Sequence, residues 1–134
     1  MEQPSAAMLV IGDELLSGRT HDANMHYLAK ELTEIGINLT EARFIRDDPA
    51  AIVSSIIELS KRFDYLFTSG GIGPTHDDIT TDCVAEAFEK KAYIRSDALK
   101  ILQEYYDGKD IELNEARLRM ARIPETAELI DNPI

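Results

Sequence analysis

The chain has 134 residues, a length that suits a single domain. Hydrophobic residues make up 44% and charged residues 29%, which excludes a disordered chain, and no apolar run reaches the roughly 18 residues that a membrane helix needs. The net charge of −11, from 14 basic and 25 acidic residues, argues against a nucleic-acid partner, whose phosphates usually meet a basic patch.

The opening MEQPSAAMLVIG has no basic n-region, so no signal peptide is expected. The one cysteine, Cys83, excludes an internal disulfide and fits a cytoplasmic protein. Ala6–Ile11 is a continuous apolar run closed by Gly12, the pattern of a strand buried on both faces. Asp22–Ile35 reads as a helix, with Met25, Leu28, Ala29, Leu32 and Ile35 at helical spacing and Gly36 as its stop. Ile37–Ile45 is a second strand. Asp48 then Pro49 forms an N-cap and a first helical residue, ahead of a helix burying Ile52, Val53, Ile56, Ile57 and Leu59. Asp64–Thr68 is a third strand, followed by a glycine loop and a helix from about Ile79 to Lys90. Ser96 caps a helix to about Tyr106, and Asn114–Arg122 forms another, stopped by Pro124. There are no repeats or linkers. The order β-α-β-α-β-loop-α-α-α implies a parallel sheet covered by helices, and such sheets bind ligands beyond the carboxyl ends of their strands.

The loops at those ends carry the unusual residues. In Ser69–Asp78 three glycines, Gly70, Gly71 and Gly73, allow close backbone approach to an anion, and the helix that follows adds its positive end. Asp77 and Asp78 lie on the same loop, with His76 beside them. The structural alternative is a tight turn in which Asp78 caps the next helix. Gly12–Gly18 places Asp13 and Glu14 directly after the first strand, and Asp47 and Asp48 follow the second. Capping explains Asp48 but not Asp47. A phosphate would be repelled by so many carboxylates, so a cation must intervene: Mg²⁺ or another divalent ion, or Arg19 or Arg46. His21, His26 and His76 are too dispersed for a zinc site. Cys83 reads as a buried apolar residue, and no GxSxG nucleophile motif is present.

The combination of GDELLSG, RDD and TSGGIGPTHDDIT resembles the molybdopterin-binding domain family of molybdenum-cofactor biosynthesis. It is most similar to the branch at the N-terminus of competence- and damage-inducible protein A. The resemblance runs from Ala6 to Ile134. It implies a three-layer α/β/α domain with a mostly parallel sheet, and a cleft that takes a phosphorylated pterin, molybdopterin, or a nucleotide. It implies that Asp47 and Asp78 hold Mg²⁺ and act in catalysis. Gly70, Gly71 and Gly73 would form the phosphate turn, with Asp13, Glu14 and Asp77 lining the ligand. The competence-protein branch adds metal-dependent hydrolysis of ADP-ribose-like pyrophosphates as an alternative. A non-catalytic interaction module is a third reading, favoured by Ile72 in place of the family's threonine-like residue. The resemblance also implies a homo-oligomer, a dimer or trimer. Glu128–Ile134 reads as the point where the domain is cut before its last sheet elements.

Overall fold

The computed structural model describes residues 3–132 and is a mixed α/β chain with a parallel sheet. Strand β1 (Ser5–Ile11) is the centre of a three-stranded sheet ordered β2-β1-β3, with β2 at Asn38–Ile45 and β3 at Tyr65–Ser69. Both pairings are parallel, and Val10 lies between Phe44 on one side and Ser69 on the other. Ala6 to Ile11 are all buried, as a central strand with both faces covered requires. β2 instead alternates exposed and half-buried residues, the pattern of an edge strand.

The connections are helical. After the single turn α1 (Asp13–Leu16), helix α2 (Asn24–Glu34) leads to β2, and α3 (Pro49–Arg62) leads to β3. The Asp48 carboxylate accepts the N–H of Ala51 at 3.1 Å, Pro49 opens the helix, and Lys61 and Arg62 stand in its last turn. α3 packs on β1 and β3 through Ile52, Ser55, Ile56 and Leu59. Ile57, expected in that face, is 36% exposed, because the buried stripe runs through 52, 55, 56 and 59. In α2 Leu32 is buried, but Ile35 is 71% exposed: it is the C-cap residue, and Gly36 at φ 84° turns the chain away after it.

The chain divides into two compact units, the first ending at Gly71 and the second starting at Ile72. The second contains α4 (Thr80–Ala87), β4 (Ala92–Ile94), α5 (Ser96–Asp107), α6 (Glu115–Leu118), a 3-10 turn at Arg119–Ala121 and β5 (Arg122–Pro124). Three expectations are corrected here. The helix expected over Asn114–Arg122 is one α-turn capped by Asn114, one 3-10 turn and then a strand. β4 and β5, absent from the sequence reading, pair antiparallel with Tyr93 opposite Ile123; three residues are too few to show an alternating pattern. Ser96 is the first residue of α5 rather than its cap. The residue before it, Arg95, ties the region together: its guanidinium donates to the carbonyls of Pro124 (3.3 Å) and Ala127 (2.5 Å) and pairs with Asp97 at 2.6 Å. That pairing holds the Asp97 carboxyl below the usual carboxylate range.

Cys83 is buried in α4, as expected. Residues 127–132 carry no helix or strand, and Pro133 and Ile134, the end of the stretch read as a cut, lie outside the described residues. Among the described residues no helix is long and apolar enough to cross a membrane.

Candidate functional site

The carboxyl ends of β1 and β2 are locked together beyond their regular ladder. Gly12 N–H donates to the carbonyl of Ile45, the last residue of β2, at 3.0 Å, which carries the pairing one residue past the end of β1. Asp13 and Asp47 then face each other and exchange hydrogen bonds. The N–H of Asp13 donates to Asp47 Oδ2 at 3.1 Å, and the N–H of Asp47 donates to Asp13 Oδ1 at 3.0 Å. Each bond joins a main-chain donor to a charged acceptor, the stronger class of hydrogen bond. The clasp fixes both carboxylates and leaves Oδ2 of Asp13 and Oδ1 of Asp47 without a hydrogen bond among the described residues. Arg46 Nε lies 3.5 Å from Asp13 Oδ1, and the Arg46 side chain is 79% exposed. Arg19, the other basic candidate, donates to Ser17 Oγ at 3.1 Å.

Two hollows open on this end of the sheet. One, of about 500 Å³, is lined by Leu16, Phe44, Arg46, Asp47 and Asp48 among others. The second, of about 290 Å³, lies at the ends of β1 and β3 and is lined by Glu14, His21, Asp22, Asn24, Ser69 and Gly70 among others. In a sheet ordered 2-1-3, the crevice between strands 1 and 3 is where the connections change direction, the usual ligand position of open α/β sheets. Glu14 is half-buried there, and its carboxylate folds back over Gly12, where a Cβ would come within 2.5 Å of it. Asn24, the first residue of α2, donates to Ser69 Oγ at 2.8 Å, and Asp22 accepts the N–H of Met25 at 3.0 Å. The first link joins α2 to the end of β3, and the second holds the start of α2. Sequence reasoning did not single out Phe44, Leu16, Asn24 and Ser69: Leu16 and Ser69 lie inside the GDELLSG and TSGGIGPTHDDIT motifs but carry no charge or glycine that drew notice, and Phe44 and Asn24 lie in no motif.

Gly70 and Gly71 both have positive φ, 94° and 70°, and turn the chain out of β3. A Cβ on Gly70 would overlap the carbonyl oxygen of Ile11, so only glycine fits at this crossing. The rest of the glycine loop lies in the second unit. There Asp78 accepts the N–H of Thr75 at 2.9 Å and its hydroxyl at 2.7 Å. It does not cap α4, whose N-cap is Ile79 with no side-chain bond, so the capping alternative is set aside. Burial acts most strongly on the Asp78 carboxyl and raises its pKa. Hydrogen bonds from Thr75 and from the N–H of Gly73, together with the charge of Arg119, outweigh that and hold it below the usual range. Asp78 therefore stays ionised and braces the loop. A Cβ on Gly73 would stand 2.8 Å from its Oδ2. Asp77 points outward in an exposed pair with His76 at 3.3 Å, and Ile72 is 69% exposed.

Among the described residues no group of three or more His, Cys, Asp or Glu side chains stands at metal-binding spacing. That does not suit a structural zinc site, which takes four protein ligands. It does suit Mg²⁺, which takes one or two carboxylates and completes its shell with water and substrate phosphate. Asp13 and Asp47, each with one oxygen left over from the clasp, have that form.

The chain is 36% identical to a CinA-like protein of Kosmotoga olearia over 95% of its own length and 31% of that protein's. It is 40% identical to a protein of Metallosphaera sedula over 96% of its length and 49% of that protein's. It therefore spans between about a third and a half of these relatives. The crystal structure of CinA from Thermoplasma acidophilum superposes with a TM-score of 0.88 at 30% identity, over 100% of this chain and 78% of that one. MoaB of Pyrococcus furiosus, a tungsten cofactor synthesizing protein, shares the fold at a TM-score of 0.60 and 20% identity, over 81% of this chain and 66% of that one. Residues 7–124 match the family described as the probable molybdopterin binding domain, and the chain belongs to that family.

Proposed function

We propose that this chain binds a phosphorylated pterin or nucleotide beyond the carboxyl ends of its parallel strands, with a divalent cation between the ligand and the carboxylates. The observation that carries this reading is the Asp13–Asp47 clasp, which presents two fixed carboxylates, each with an unused oxygen, beside a hollow of about 500 Å³. Membership of the probable molybdopterin binding domain family supports a ligand of this class.

Oδ1 of Asp47 and Oδ2 of Asp13 would hold the cation. When bound, Mg²⁺ neutralises phosphate charge and polarises a phosphoryl oxygen. Asp13 orients Asp47 through the reciprocal hydrogen bonds, so the carboxylate needs no reorganisation when the cation arrives. Gly70 and Gly71 bring bare main chain to the end of β3, where no side chain blocks a phosphate. Asp78 is the second catalytic carboxylate implied by the resemblance, and its low pKa keeps it charged in neutral solution. Its bonds to Thr75 give it a further duty in holding the loop.

The test is to incubate the protein with Mg²⁺, Mn²⁺ or Co²⁺ and with ADP-ribose, FAD, NAD or ATP, and to measure both calorimetric binding and release of AMP. Metal-dependent binding that is lost in Asp47→Asn supports the reading. Asparagine keeps an oxygen to accept the Asp13 N–H, so the fold is retained while the charge goes. AMP release that disappears in Asp47→Asn and Asp78→Asn would make the protein a pyrophosphatase. The absence of binding and release with every metal and ligand, and with a pterin phosphate, would refute it. Sedimentation equilibrium tests the dimer or trimer implied by the resemblance.

A further inference from the structure

The hollow beside Asp47 has one wall that carboxylate chemistry does not explain. Phe44 is the next-to-last residue of β2, three residues before Asp47, and is 37% exposed. It lines this hollow and also a third, of about 580 Å³, with Leu15, Met25 and His26. Leu16, from α1, is 52% exposed and lines the same hollow. The ring, partly exposed, and the leucine, half exposed, give up part of the burial that residues of their kind usually gain. Arg46 lines the same hollow and pairs with Asp13 of the clasp. Its ion pair, Nε to Asp13 Oδ1, is long at 3.5 Å, and its terminal nitrogens show no hydrogen bond or ion pair among the described residues.

We propose that this hollow is a two-part subsite for a planar heteroaromatic ring that carries a phosphate, with Phe44 and Leu16 taking the ring and Arg46 taking the phosphate. The ring face meets an aromatic face and a branched apolar side chain, a contact that tolerates different bases because each has a π-face. The guanidinium offers its unused N–H pair to two phosphate oxygens, the fork geometry that suits that anion. Asp47 and Asp48 line the same hollow, so one guanidinium alone is outweighed by two carboxylates. The subsite therefore rests on the cation reading of Asp13 and Asp47 given above. A bound cation also competes with Arg46 for Asp13 and leaves the guanidinium to the ligand.

Calorimetry with AMP and with ribose 5-phosphate, in Mg²⁺ and in EDTA, tests this on the whole chain. Phe44→Ala is expected to weaken AMP about tenfold, the size of one base stacked on one aromatic face, and to leave ribose 5-phosphate unchanged. Phe44→Leu keeps the apolar bulk on β2 and should show the same selectivity with a smaller loss, which covers the case in which the alanine variant unfolds. Arg46→Gln is expected to weaken both ligands alike. Mg²⁺-dependent binding that is lost in Asp47→Asn but unchanged in the Phe44 and Arg46 variants overturns the subsite and leaves the cation reading intact. Binding that persists in EDTA refutes the cation reading, and with it the charge balance on which the subsite rests. No saturable binding of AMP by the unaltered chain overturns both.

Discussion

Replacing Gly70 with alanine tests the geometry of the site directly. Gly70 has φ 94°, a conformation that costs an L-residue about 1–2 kcal/mol. Gly18 has nearly the same strain at φ 80°, but nothing lies within 4 Å of where its Cβ would be. At Gly70 the added Cβ would overlap the Ile11 carbonyl oxygen and come within 3.1 Å of its carbon. That oxygen belongs to the main chain of the central strand, so no flexible side chain can move aside. Overpacking of this kind costs roughly 1–3 kcal/mol more. Gly70→Ala should therefore lose about 2–5 kcal/mol and Gly18→Ala about 1–2, against a total stability that is typically about 5–15 kcal/mol. Urea unfolding of both variants, compared by midpoint at constant slope, isolates the overlap as their difference. If Gly70→Ala lies within about half a kcal/mol of Gly18→Ala, the close crossing of β1 and the glycine turn is wrong.

Asp48→Ala removes the cap of α3 and should cost about 1 kcal/mol in urea unfolding, while weakening the metal far less than Asp47→Asn does, which separates Asp48 from Asp47. The Asp78 carboxyl is held below its ordinary value, so its contribution to stability is present above the unfolded pKa near 3.9 and is lost as pH falls through the lower folded value. The stability gap between the unaltered protein and Asp78→Ala should accordingly stay level above about pH 5 and narrow only in stronger acid. A carboxyl titration midpoint for Asp78 at or above about 3.9, read by NMR, would contradict the bonding described.

Much of the first unit was legible in the sequence. The apolar run Ala6–Ile11 marks a central parallel strand, because a strand with both faces covered leaves no place for polar side chains. Asp48-Pro49 marks the start of α3, because capping and proline's fixed φ are local requirements. The glycine run marks the turn out of β3 for the same kind of reason. The second unit was less legible. β4 and β5 are three residues each and exist through pairing with a partner about thirty residues away, a contact that no local pattern records. The sequence read Asp78 as a site carboxylate with a helix cap as the structural alternative, and only the position of Thr75 shows that it braces the loop.

The sequence by itself determined the fold class, the family motifs and the carboxylates at the strand ends, since periodicity, capping and glycine spacing depend on neighbours along the chain. Only the tertiary structure decided which of those groups act on each other. The reciprocal bonds of Asp13 and Asp47, 34 residues apart, arise because β1 and β2 pair in parallel and their carboxyl ends finish side by side. The exposure of Phe44 and the nearly unpaired guanidinium of Arg46 are likewise consequences of where β2 ends, because burial and charge pairing are properties of the folded surroundings and not of the residue types.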